Sequence, residues 1–400
     1  MPQAQRPEET LADIIKGISA QDDSFFAATV NKQDLLQQSA KDLQNIAADI
    51  ERVRREGAVL FTPSTNGAEK DGATLAAAFD GWRANPPSIA ALVFVAAEVF
   101  GIEKDGPGFK TAVMAGLAAD TPHGDNTYHN TNHFREVTAA MIRLVAAGNA
   151  LAAAGDTQAQ LLEGNDVAKC IIAAASHDLL HDGKGNNPPG GAYKKYLLED
   201  IAIAAAEPFA KLAGMAPADF EDIRVMIRVT DVSSDRALPM AERDPSPHTI
   251  LRQIYAETHG QRDGVLKNFA VPPELAALTT NPKLLDMAAK MSDADLSPSA
   301  ATTFEFSRQR TTEMSVEDPQ MVKDNAMSLV MFGKFVMDGK FTSTTAETVG
   351  KKSLQSIFNK AAAKAEEEKL AVTNAPVAAA PTTTANANQK KPAAGAPKTA

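Results

Sequence analysis

Apolar side chains recur every three or four residues along most of this chain and seldom on alternate positions. In residues 35–53 (LLQQSAKDLQNIAADIERV), Leu36, Leu43, Ile46, Ala47 and Ile50 fall near helical spacing. That stripe predicts an amphipathic helix, packed on the main body of the protein or on a second copy of it. Helical periods also mark residues 89–100, 128–147, 167–179, 193–212, 219–229, 249–255 and 284–291. A strand–helix–strand alternation is absent, so the prediction is an all-α, multi-helix bundle, and a parallel sheet is disfavoured. No internal repeat stands out at any fixed period.

Turn residues divide the pattern. Residues 62–72 (TPSTNGAEKDG) read as a loop and a boundary. The expected organisation is a helical N-terminal region (1–80), a main domain (81–349), a terminal helix or linker (350–370) and a tail (371–400). The tail is built from Ala, Pro, Thr, Asn and Lys with no aromatic residue. Such a segment buries too little apolar surface to offset its ordering entropy, which predicts disorder.

Composition sharpens this picture. Apolar residues make up 44% of the 400, enough for a sizeable core, while aromatics are only 6%. Alanine is abundant, and it is the best helix former. A formal net charge of −10 argues against a nucleic-acid partner, which calls for a basic face. It leaves room for a small phosphate substrate, because bound metal reverses the local field. The single cysteine, Cys170, excludes an intrachain disulfide and a cysteine-rich zinc site. No basic stretch followed by an apolar one opens the chain, and the most apolar run, Ile89–Phe100, is short and carries Glu98. A cytoplasmic protein without stable membrane insertion is therefore expected. A homodimer is left open.

The candidate chemistry lies in three short blocks. Five of the seven histidines fall between residues 123 and 181. The first block, residues 128–133 (YHNTNH), puts His129 and His133 four apart. On a helix the two rings would share one face, free to turn toward one metal or to divide metal and substrate between them. The second block, 177–186 (HDLLHDGKGN), follows an apolar helical run. A buried His177–Asp178 pair is costly unless paired or metal-bound, and the glycines after it permit close approach to a site. The third, 290–298 (KMSDADLSP), sets Asp293 and Asp295 after an apolar helical stretch. Imidazoles and carboxylates without thiolate suit Zn, Mn, Fe or Mg and leave positions open for water. Water on such a metal can ionise near neutral pH and attack phosphorus. His248 and His259 read as structural or surface residues, and His123, just before the first block, as a further pocket candidate.

These blocks, in this order, resemble the catalytic domain of the class I cyclic nucleotide phosphodiesterases, which belong to the HD-domain phosphohydrolases. The resemblance spans roughly residues 86–345 and includes a helix-like 304–309 after the third block. It implies the HD-domain, phosphodiesterase-like helical fold over 81–349 and two divalent cations, zinc with magnesium or manganese, iron being admissible. It makes His129 the general acid and His133, His177, Asp178 and Asp295 the metal ligands, with Asp178 shared between the cations and Asp293 as the alternative to Asp295. His181, Asn186 and Asp231 match positions beside the ligands. Glu207 is the first choice, and Glu199 the reserve, for the glutamate that steadies the general acid or a bound water. The implied activity is phosphodiester hydrolysis of a small phosphoester or nucleotide, 3′,5′-cyclic nucleotides included. The alternatives are another nucleotide or a phosphomonoester as substrate, or a catalytically silent binding protein with the same fold. One departure stands out in residues 328–332 (SLVMF): Phe332 matches the family's aromatic clamp, but Leu329 stands where the family holds the purine with a glutamine amide.

Overall fold

Local signals account for where the helices begin and end. The computed structural model describes residues 5–64, 69–122, 124–186, 192–235, 238–239, 242–260 and 270–374. The tail, expected to be disordered from residue 371, is helical as far as Asn374, where the last helix ends; the remainder of it, and the candidate His123, lie outside the described residues. Fifteen α-helices follow one another, and no strand occurs among the described residues. The first four are α1 (Pro7–Ser19), α2 (Lys32–Glu56), α3 (Ala58–Phe61) and α4 (Glu69–Ala84). Next come α5 (Ile89–Phe100), α6 (Pro107–Asp120), α7 (Thr131–Ala153), α8 (Asn165–Ser176), α9 (Leu197–Ala213), α10 (Pro217–Arg228) and α11 (Pro247–Thr258). The last four are α12 (Pro282–Ala300), α13 (Phe304–Glu317), α14 (Ala326–Phe335) and α15 (Thr344–Asn374).

The apolar run at α5 is bounded by its caps. Ser88 Oγ accepts the Ala91 N–H, and Gly101 ends the helix in the left-handed region at φ 68°. Asn130 caps α7 through its side-chain oxygen, which accepts from Asn132 and His133. Asn281 caps α12, with Pro282 at its first position.

At the centre lies α8, where every residue from Val167 to Ser176 is buried. It packs against α6, α7, α10 and α12. The apolar core reaches from Leu11 and Ile18 of α1 to Leu354 of α15, so the N-terminal helices share it. Fully burying a side chain such as Phe134 or Phe209 contributes about 1.5–3 kcal/mol. A buried ion pair ties the layers together. Arg135 donates to Asp120 at 2.5 Å and to the Pro87 carbonyl at 2.7 Å, while Asp120 accepts the Ile89 N–H at 2.6 Å. The start of α5 is thereby fixed to α6 and α7. By length and composition α7 could cross a membrane, but here its apolar surface is buried inside the protein.

Two helices differ from the sequence pattern in ways that matter to the site. First, α7 begins at Thr131, so His129 precedes the helix and does not share a face with His133. The Asn130 cap sets that boundary. Second, α12 runs on to Ala300, so Asp293 and Asp295 sit within the helix rather than beyond its end. The helix continues because the Asp293 carboxylate has partners. It accepts the N–H groups of Thr342 (2.8 Å) and Ser343 (2.7 Å) at the start of α15.

Candidate metal centre

Three central helices each deliver part of one cluster. His133 stands in the first turn of α7, His177 at the end of α8 with Asp178 next to it, and Asp295 on α12. His177 Nε2 lies 3.0 Å from Asp178 Oδ2 and 3.3 Å from Asp295 Oδ1. His133 Nε2 lies 3.4 Å from each of the same two oxygens. The four ligand atoms are all within 4.8 Å of one another. Bonds of about 2.0–2.2 Å to one divalent cation require separations of that order.

The donor set fits a cation on two further counts. Nε2 of His133 and Nε2 of His177 are buried without a hydrogen-bond partner, a costly arrangement unless a metal takes the lone pair. In addition, His177 Nδ1 donates to the Ala174 carbonyl at 3.0 Å, which leaves Nε2 as the acceptor facing the cluster. Burial works against charge on these groups, yet their mutual attraction prevails. Against the effect of burial, the carboxylates raise both imidazoles, and the imidazoles hold Asp178 and Asp295 below the usual carboxylate range. Both acids are thus ready to ligate.

The turn after α8 brings a second set of groups to the same place. Leu180 adopts φ 65°, and Gly183 follows at φ 76°. A side chain at Gly183 would come within 2.9 Å of Asn126 Oδ1, so the turn requires glycine. His181 stacks on His129 with ring centroids 3.8 Å apart. Its Nδ1 accepts the Gly183 N–H at 2.9 Å, and burial pushes it down to about 4, so it is a neutral ring near pH 7. His129 points Nε2 toward the cluster, 3.9 Å from Asp178 Oδ2, and its Nδ1 is hydrogen-bonded to Glu317. His129, His181 and Glu317 also lie close enough to hold a cation. The hydrogen bond between His129 and Glu317 already engages the facing atoms of that pair.

Glu317, the last residue of α13, was not among the sequence candidates. Its carboxylate accepts the N–H groups of Tyr128 and His129 at 2.8 and 3.1 Å. Despite burial, these bonds and His129 hold it at about 2, so it is ionised. A carboxylate at a helix C-terminus opposes the helix dipole, and that misfit is the local signal of a partner elsewhere. Glu207, expected to steady the general acid, instead faces outward from α9. It pairs with Arg224 at 3.1 Å and Lys211 at 3.3 Å. The reserve, Glu199, is buried beside the site and accepts from Asn186 Nδ2 at 2.9 Å. Burial and the nearby Asp231 push Glu199 well up.

Asn186 also accepts the Leu198 N–H at 2.9 Å, and Asp231 accepts from Ser233 at 2.7 Å and Tyr196 at 3.3 Å. These three residues brace the loop behind the cluster. Asp293, the alternative ligand, is spent on the start of α15, and burial raises it to about 6. His248 is buried and neutral, its rings' nitrogens engaged by Ser292 Oγ (2.6 Å) and the Val336 carbonyl (3.2 Å). His259 stacks on Tyr255 at the end of α11. A cavity of about 230 Å³ opens beside the cluster, and Phe332 and Leu329 both line it.

Fold and site together define an all-helical protein with a two-histidine, two-aspartate centre whose histidines are buried and whose aspartates reach the cavity. No family model matches the chain, and no curated protein matches it. Among solved structures it is similar to the phosphodiesterase domain of the RhoPDE fusion protein from the choanoflagellate Salpingoeca rosetta. That likeness has 16% identity and a TM-score of 0.46, over 78% of this chain and 97% of that one. It is likewise similar to LmjPDEB1 in complex with IBMX, at 16% identity and a TM-score of 0.45, over 90% of this chain and 97% of that one. What defines the site is the convergence of its own four side chains.

Proposed function

We propose that this protein is a metal-dependent phosphodiester hydrolase. The observation that carries the reading is the convergence of His133, His177, Asp178 and Asp295 on one point, with His129 Nε2 alongside. A divalent cation held there would supply Lewis acidity and a water ionisable near neutral pH; zinc with magnesium or manganese suits the donors, and iron is admissible. Asp178, which faces both His129 and the two ligand histidines, is the ligand best placed to be shared with a second cation. As water adds to phosphorus and the ester P–O bond breaks, His129 Nε2–H gives its proton to the departing oxygen. Glu317 accepts the Nδ1–H, so the ring that also carries this proton on Nε2 is the imidazolium, which the Glu317 carboxylate stabilises, and His181 packs against the ring to hold its plane.

The substrate is a small phosphoester, with 3′,5′-cyclic nucleotides as one class to test. A second reading, hydrolysis of a different nucleotide or a phosphomonoester, is favoured by one observation: Leu329, which offers no hydrogen bond, lines the cavity. Metal analysis coupled to a phosphoester screen tests the proposal. The expected result is stoichiometric metal and turnover, both lost in His177→Ala. Stoichiometric metal without turnover of any phosphoester overturns the catalytic reading and leaves a binding protein.

A further inference from the structure

The lining of the cavity beside the centre is of two kinds. Charged and imidazole groups make up one part, with His129, Asp178, His181 and Asp295 among them. A second part of the lining comes from α13, α14 and the segments that follow each, and it presents Met314, Met321, Val322, Leu329, Phe332 and Val336.

Most polar side chains of that part of the lining are already engaged. Ser328 Oγ donates to the Lys323 carbonyl at 2.7 Å and accepts the Lys323 N–H at 3.1 Å. Thr311 donates to the Ser307 carbonyl at 3.0 Å. Asp318 accepts the N–H groups of Gln320 and Met321 at 3.2 and 3.0 Å, and Arg310 is ion-paired with Glu136 and Glu313. Among the described residues, this wall carries no side-chain amide. A nucleobase edge pressed against it would exchange water for unpaired donors and acceptors. An alkyl or aryl group would gain with every methylene covered.

We propose that this wall selects its ligand by apolar contact, so that the substrate is a phosphoester of an apolar alcohol rather than of a nucleoside. The proposal rests on the phosphoester-hydrolase reading of the same site. Geometry supplies the logic: an anionic phosphoryl group meets the cluster of histidines and aspartates, and the alcohol extends from it along Leu329 and Phe332.

The test titrates alkylphosphonates, from methyl through hexyl to dodecyl, into the full chain supplied with zinc and magnesium. Adenosine monophosphate is measured in parallel, and binding is read by calorimetry. Affinity is expected to rise about fourfold per methylene up to hexyl, with hexylphosphonate tighter than adenosine monophosphate. A rise that stops near hexyl identifies a compact alcohol, and one that continues to dodecyl a lipid-like one. A flat series, a complete lack of binding, or adenosine monophosphate as the tightest ligand overturns the proposal. Leu329→Gln should flatten the series and tighten adenosine monophosphate. Because Leu329 is buried, its melting temperature is read alongside, and the unmodified chain's series decides the matter without it. Turnover of 4-nitrophenyl phosphoesters is recorded separately. A steep series without turnover removes the catalytic reading and keeps the apolar selectivity, whereas turnover with a flat series does the reverse.

Discussion

His129 and Glu317 stand 188 residues apart in the chain and share a hydrogen bond between Nδ1 and Oε1. The other carboxylate oxygen holds the backbone N–H groups of Tyr128 and His129, so one side chain fixes the ring, its tautomer and the segment that carries it. If His129 is the proton donor, His129→Ala should lower kcat by about 10²–10⁴ while metal content stays unchanged. Glu317→Gln keeps the shape but loses the charge, and a fall of about 10- to 100-fold is expected, on the scale of other orienting partners. Steady-state kinetics with metal quantified on the same samples checks both. Loss of metal in either variant would instead make the pair part of the metal's support.

The four candidate ligand residues should behave differently. Alanine at His133, His177, Asp178 or Asp295 removes a donor from a cluster whose ligand atoms all lie within 4.8 Å of one another. Bound metal and activity should fall together in each variant. Chelation of the unmodified protein should abolish turnover, and added divalent cation should restore it. Metal binds the folded state only, so it should also raise the melting temperature, with about 2.7 kcal/mol gained at 100-fold excess over Kd. Calorimetric scans with and without chelator measure this.

The sequence made some of this legible and hid the rest, for physical reasons. The run Ile89–Phe100 could be read residue for residue because its own caps, Ser88 and Gly101, bound it. The four residues that meet at the cluster were readable as types, since costly buried histidines and acids stood in three short blocks. Their convergence depends on the packing of α7, α8 and α12 around each other, which no local pattern encodes. Glu317 is hard to read from the sequence because its partner is far off along the chain. Glu207 misleads because an acid in a predicted helix does not announce which face it occupies, and it faces Arg224 and solvent. The start of α7 was misplaced because Asn130, two residues into the first block, serves as its cap.

Asp42 carries a testable pH dependence. It is buried on α2 with one oxygen accepting from Gln38 at 2.8 Å and the other unpartnered. Burial, followed by the nearby Asp120, pushes it up to about 8, with Asp49 adding to the rise and Arg135 opposing it. In the unfolded chain the same group titrates near 3.9. The folded state therefore favours the proton, so this group costs stability progressively as pH rises from about 4 to about 8. Asp42→Asn imitates the protonated form. It should match the unmodified protein near pH 4 and be the more stable of the two at pH 8, by several degrees in melting temperature. Equal melting temperatures across the whole range would show that Asp42 is ionised in the fold without penalty.

Gly333 links the stability of the C-terminal helices to the cavity wall. A Cβ added there would lie 2.4 Å from Phe358 Cζ and 2.6 Å from both ring ε carbons, closer than real side chains approach. In Gly333→Ala either the Phe358 ring turns aside or α14 moves away from α15. Overpacking of this kind costs about 1–3 kcal/mol, which urea unfolding would measure. Because Leu329 and Phe332 ride on the same helix, displacement of α14 should also weaken hexylphosphonate binding while leaving metal content intact. The double variant Gly333→Ala, Phe358→Ala separates the two responses. If the ring is what blocks the methyl group, the Gly333→Ala step should cost much less in the Phe358→Ala background, a coupling that contact between the two positions predicts. If it costs the same in both backgrounds, α14 is held against α15 by other contacts and the cavity wall does not depend on this one.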